Sequence, residues 1–117
     1  MDTESLRKYC LSFPHATENV QWGSDLCFKI GGKMFAVTDL NSQPPGKLSI
    51  KCTPEKFAEL IETDGIIPAP YVARYHWVYL EKPSALGKTE LKELIKNSYE
   101  MVFAKLPKKI KSQLDRK

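Results

Sequence analysis

The chain predicts an α+β fold, a mainly antiparallel sheet with helices packed on one face, in the approximate order α-β(3-4)-α-β(1-2)-α. Three observations predict it. Helical apolar spacing is confined to the two ends and one short central stretch. Alternating strand-like runs lie between them, joined by tight turn signals, and no βαβ rhythm alternates strand with helix. A length of 117 residues with 42% hydrophobic and 27% charged content fits one ordinary globular domain, 1–117.

Each element has its own justification. Leu6, Tyr9, Cys10 and Phe13 recur at helical spacing, Asp2 or Thr3 is placed to accept hydrogen bonds from first-turn amides, and Pro14 ends the helix. A strand follows from about Glu18 to Trp22. In SDLCFKIGGKMFAVTD, two strand-like runs flank Gly31-Gly32, a pair able to take the positive φ of a two-residue hairpin turn. That register sets Ile30 opposite Lys33, Phe28 opposite Phe35 and Leu26 opposite Val37. It gives a core face of Leu26, Phe28, Ile30, Phe35 and Val37, and leaves Cys27, Lys29, Met34 and Ala36 on the other face.

Beyond the Pro44-Pro45-Gly46 loop, Lys47 to Cys52 alternates strictly, with Leu48, Ile50 and Cys52 inward and Lys47, Ser49 and Lys51 outward. Thr53-Pro54-Glu55 supplies an N-cap, a proline at the first helical position and an early acid for a short helix carrying Phe57, Leu60 and Ile61. Asp64-Gly65 stops it. The stretch GIIPAPYVARYHWVYL is harder to place. Pro68 and Pro70 lack amide hydrogens, so Ile66 to Pro70 belongs to a sheet edge or an extended loop, whereas Tyr75 to Leu80 reads as a strand. Last comes a long helix, Lys88 to Leu106, with Leu91, Leu94, Ile95, Ser98, Val102, Phe103 and Leu106 on one stripe. Pro107 ends it or starts a short successor.

The formal charge of +4 is localised. Residues 1–100 hold 12 Lys/Arg against 13 Asp/Glu, while residues 101–117 hold six against one, so a basic end begins at about 105. Lysines there serve either as a solvated helix end or as a phosphate-contacting segment. No apolar run is long enough for a membrane span, and the N-terminus lacks a signal-peptide pattern, so a cytoplasmic protein without membrane partners is expected, as a monomer. Three separated cysteines, Cys10, Cys27 and Cys52, suggest neither disulfides nor a zinc site, but reduced, partly buried thiols.

Catalytic patterning is absent. There is no serine elbow or phosphate loop, His15 and His76 have no partners at ligand spacing, and Glu18 and Asp25, which flank Trp22, are two acids near a turn that would have to face one another to matter. The sequence therefore predicts no catalytic residue, no cofactor and no metal, hence not an enzyme.

Eight short motifs then occur in order. They include Phe13-Pro14-x-Ala16-x-Glu18, Trp22-Gly23-x-Asp25-x-Cys27-Phe28-Lys29, Gly32-Lys33-Met34-Phe35-Ala36, Lys51-Cys52-x-Pro54-Glu55, Gly65-Ile66-x-Pro68-Ala69-Pro70-Tyr71 and Trp77-Val78-x-Leu80. Taken together they resemble the MmcQ/YjbR family over nearly the whole chain. The resemblance implies a small domain of the secretion-chaperone-like, double-wing kind and a DNA-binding role, and it brings no catalytic residue, metal or cofactor.

If double-stranded DNA is the partner, the residues placed to meet phosphates are Lys29, Lys33, Lys51, Arg74, Lys108 and Lys109, with Tyr75 and Trp77 beside Arg74 for stacking. The alternative is a protein- or small-ligand-interaction module built on an edge of Pro68, Pro70, Tyr71 and Trp77.

Overall fold

The first helix, α1 (Thr3–Leu11), starts where the Asp2 carboxylate accepts from the Ser5 amide at 2.8 Å, which satisfies one of the otherwise free amides of the first turn. The computed structural model describes residues 1–70 and 72–115. Four strands follow, β1 (Thr17–Gln21), β2 (Asp25–Ile30), β3 (Lys33–Asp39) and β4 (Leu48–Lys51). Then come α2 (Pro54–Leu60), β5 (Ile66–Pro68), β6 (Trp77–Leu80), the long α3 (Lys88–Ala104) and a separate α4 (Lys108–Asp115). Thr53 caps α2 by accepting from the Lys56 amide, with Pro54 at the first helical position, as the sequence predicts. Pro107 separates α3 from α4.

All six strands form one antiparallel sheet in the order β1-β2-β3-β4-β6-β5. Pro68 therefore lies in an edge strand, where its missing amide costs no ladder bond. The inward residues of the sheet join Leu6 and Cys10 of α1, Leu60 of α2 and Leu91, Ile95, Tyr99 and Val102 of α3 in one buried cluster. Phe35 is its aromatic centre, edge-on to Tyr99 at 5.3 Å and to Phe13 at 5.9 Å. Two hydroxyls tie the helices down: Tyr99 donates to the Pro14 carbonyl and Tyr9 to the Lys92 carbonyl.

The hairpin register departs from the simple two-residue reading. Ile30 does oppose Lys33, and Gly31 and Gly32 both take positive φ, 58° and 83°. Lys29 then pairs with Met34, but Phe28 pairs with Ala36 and Leu26 with Thr38. Phe35 is thus the extra residue of a β-bulge. The shift carries Ala36 and Thr38 to the core face, both fully buried, and turns Val37 to the other face. Thr38 is tolerated there because its hydroxyl donates to the Lys47 carbonyl at 2.8 Å.

Two further expectations are corrected. Glu18 and Asp25 do not face one another. Glu18 pairs with Phe28 and its carboxylate is held by the Arg7 guanidinium at 2.6 to 2.9 Å, whereas Asp25 stands in the β2 row of the opposite face. Nor is His76 a strand residue: Ala73–Tyr75 makes a short 3-10 turn and His76 closes it in the left-handed region, so β6 starts at Trp77.

Cys10, Cys27 and Cys52 are all free and buried. Burial pushes the Cys10 thiol up to about 12 and the Cys52 thiol up to about 11, which keeps both in the unreactive protonated form at neutral pH. The native protein should therefore resist a thiol-reactive chromogen at mildly alkaline pH and titrate three thiols only in denaturant. Rapid native labelling of Cys10 would contradict this packing. No helix among the described residues is long and apolar enough to cross a membrane.

Candidate binding face

Helices cover one face of the sheet, and the other carries the candidate site. Strand alternation and register place Asp25, Cys27 and Lys29 of β2, Met34 and Val37 of β3, Ser49 and Lys51 of β4, and Trp77 and Tyr79 of β6 on this second face. Cys27, Ala69 and Trp77 are buried yet stand outside the main cluster. Ala69, Pro70 and Val72 and the β1–β2 turn flank a groove here of about 590 Å³, lined by Trp22, Asp25, Met34, Val37, Pro70 and Trp77 among others.

Trp22 gives this groove its unusual wall. The sequence reading ends β1 at Trp22, but the strand stops at Gln21 and Trp22 sits in the turn with φ of 50°, a conformation that costs a bulky residue about 1 kcal/mol or more. Its side chain is 70% exposed. A largely exposed aromatic ring on a positive-φ backbone at the groove makes Trp22 a candidate contact surface.

A second hollow of about 260 Å³ adjoins the groove and shares Met34, Val72 and Trp77 with it. Lys33 of β3, Lys51 of β4 and Lys105 just after α3 line this notch. Three separate elements thus contribute a lysine each to one hollow. The Lys51 ammonium is depressed from its ordinary value by partial burial and then by the neighbouring charge of Lys105, a like-charge arrangement that an incoming anion relieves. Lys51 Nζ donates to the Tyr75 carbonyl at 2.8 Å, which fixes its direction. The ion pairs of the described residues involve Arg7, Lys56 and Lys82. None of the three notch lysines has an acidic partner among them.

The other predicted residues divide. Lys29 is half-exposed on the same face, two positions along β2 from Cys27. Arg74 is exposed but turned onto its neighbour, its guanidinium 4.8 Å from the Tyr75 ring centre and donating to the Tyr75 hydroxyl. Lys108 and Lys109 are exposed on α4, whose Ile110 abuts the hairpin turn at Gly31, so α4 is docked against the domain. Pro68 and Pro70 are exposed, Trp77 is buried as the groove floor, and Tyr71 lies outside the described residues. Among the described residues no group of His, Cys, Asp and Glu is placed to hold a metal ion.

Sequence reasoning places Lys105 only in the basic end, without joining it to Lys33 and Lys51, and misses Asp25 and Trp22 as members of the candidate site. The only available signal was Trp22-Gly23, an aromatic residue beside a turn glycine where a polar residue is the norm.

The YjbR family model matches residues 11–101. The chain belongs to the YjbR family. Among solved structures, a Deinococcus radiodurans protein with a DUF419 domain superposes with a TM-score of 0.85 at 30% identity, covering 97% of this chain and 87% of that one. A Pseudomonas syringae protein is similar at a TM-score of 0.69 and 19% identity, over 87% of this chain and 99% of that one, a likeness of fold alone. No curated protein matches the chain.

Proposed function

We propose that this YjbR-family protein is a non-enzymatic nucleic-acid-binding module that takes the phosphate backbone at the Lys33–Lys51–Lys105 notch. The observation that carries the reading is the convergence of lysines from three elements with no acidic partner among the described residues. Uncompensated ammonium groups held close together are costly alone and favourable around a phosphate, because binding releases condensed counterions. Lys29 adds a cation on the same face of β2, and Lys108 and Lys109 add exposed cations on α4.

Salt tests this directly. Binding of a fluorescein-labelled duplex, followed by anisotropy, should weaken linearly in log affinity against log salt, with a slope of about −0.9 per phosphate neutralised. Lys33→Ala and Lys105→Ala should each reduce that slope by about one unit. The basic end is tested by substituting Lys108 and Lys109 together, because truncation would also remove Ile110 and Leu114, which pack against the core. No binding by the intact chain at low salt overturns the proposal, and a salt-insensitive protein partner on the Pro68–Pro70 edge would replace it.

A further inference from the structure

The groove beside the lysine notch has a composition that phosphate binding alone does not use. Its walls are aromatic and apolar, from Trp22, Trp77, Met34 and Val37, and its far end carries the Asp25 carboxylate. Asp39 faces Asp25 across the β2–β3 ladder, but the two differ in their satisfaction. The Asp39 carboxylate accepts from the Ser24 hydroxyl at 3.1 Å and the Asn41 amide at 2.9 Å. Asp25 has no side-chain hydrogen bond among the described residues. Burial, and then the charge of Asp39, push its carboxyl above the ordinary range.

The ladder sets the dimensions. Asp25 and Lys29 are four residues apart on β2, roughly 13 Å along the strand, and the three notch lysines stand at the Lys29 end. Two adjoining hollows therefore run from a half-buried carboxylate with no protein donor among the described residues, past two tryptophans, to a group of lysines. A base, its sugar and its phosphate present matching chemistry in the same order: hydrogen-bond donors on an edge, a flat π-face, then an anion.

Resting on the nucleic-acid reading above, we infer that the groove receives one unpaired base of a single strand, stacked on Trp22 and read at its edge by Asp25, with the adjoining phosphate in the lysine notch. The acceptor selects among bases. An ionised carboxylate only accepts, and of the four bases guanine alone offers two adjacent donors, N1–H and the N2 amino group, on its pairing edge. Adenine and cytosine set one donor beside an acceptor, and thymine sets its single N–H between two. Guanine is the preferred occupant. In a duplex that edge is already paired, so the site favours unpaired or extruded bases.

The strained turn supplies a clean variant. Trp22→Gly removes the stacking surface and places glycine where φ is already positive, so the fold should keep its melting temperature. Affinity for a single strand should nonetheless fall about tenfold, the effect of losing one base–aromatic stack. The probes are an all-thymine oligonucleotide, the same strand with one central guanine, and its duplex, titrated by anisotropy and by intrinsic fluorescence, for which Trp22 and Trp77 are the only two tryptophans. The guanine strand should bind tighter than both others and quench the fluorescence. Asp25→Asn should bring the two single strands to within about twofold of each other while leaving the salt slope intact.

Salt-sensitive binding that is equal for duplex and single strand and unchanged by Trp22→Gly would overturn the groove inference and leave the phosphate reading standing. Absence of salt-sensitive binding to every probe would overturn the phosphate reading, and the groove inference with it.

Discussion

Replacing Gly31 with valine should lower the unfolding free energy by about 3 kcal/mol, the sum of a β-branched residue forced into the left-handed region and of overpacking against a filled neighbour. Gly31 has φ of 58°, and a Cβ built there would lie 2.7 Å from Leu106 Cδ1 and 2.9 Å from Ile110 Cγ2. Leu106 is only 5% exposed, so it has little room to yield. Gly32 offers the contrast: its φ is 83°, but nothing lies within 4 Å of a Cβ there. Gly32→Ala should cost only about 1 kcal/mol, from conformation alone. Urea unfolding followed by circular dichroism separates the two. Equal losses at both positions would mean that α4 does not pack against the turn. Because Lys105 precedes Leu106, the valine variant should also disturb the notch and weaken nucleic-acid binding beyond its effect on stability.

Much of this architecture is legible in residue order because local rules decide it. Asp2 and Thr53 cap helices, Gly31-Gly32 turns a hairpin, Pro68 can occupy only an edge, and Leu48, Ser49, Ile50 and Lys51 alternate without ambiguity. The bulge at Phe35 was hidden for an equally local reason. Phe35 and Ala36 are both apolar, so either register buries an apolar side chain, and the choice falls to Thr38, whose inward position depends on a hydroxyl bond to the Lys47 carbonyl in another segment. Tertiary satisfaction of a polar group overrode the two-residue count.

The site was less legible than the fold. Alternation places Lys29 and Lys51 on the open face and the turn places Lys33 beside the hairpin, but Lys105 reaches the notch only through the docking of α3 across the sheet, a contact with no local signature. Asp25 stands out in the sequence only as one of two acids, with Glu18, that flank Trp22. In the folded chain three residues of turn and the strand alternation put them on opposite faces. The candidate site is assembled from residues distant in the chain, which sequence neighbours do not reveal.

Ser98 joins the bulge to the notch, and its removal is the second large effect expected. It is fully buried on the apolar stripe of α3, an unfavourable place for a hydroxyl unless bonded. Its Oγ donates to the Phe35 carbonyl at 2.6 Å and accepts from the Lys51 amide at 3.1 Å. One hydroxyl thus serves the extra residue of the bulge and the last residue of β4, the one that bears a notch ammonium. Ser98→Ala would leave a buried carbonyl and a buried amide without a partner, at a cost of about 2 to 4 kcal/mol. Asn97→Ala, one position along α3 and exposed, should stay within about 0.5 kcal/mol of the parent. The alanine variant at 98, studied under conditions where it remains folded, should also bind labelled nucleic acid more weakly, because Lys51 loses the anchor that sets its backbone beneath the notch. Chemical denaturation of both variants gives the stability difference and anisotropy gives the binding. A Ser98→Ala protein as stable as the Asn97→Ala control would show that the bulge holds without its serine, and that the coupling between core and lysine notch is absent.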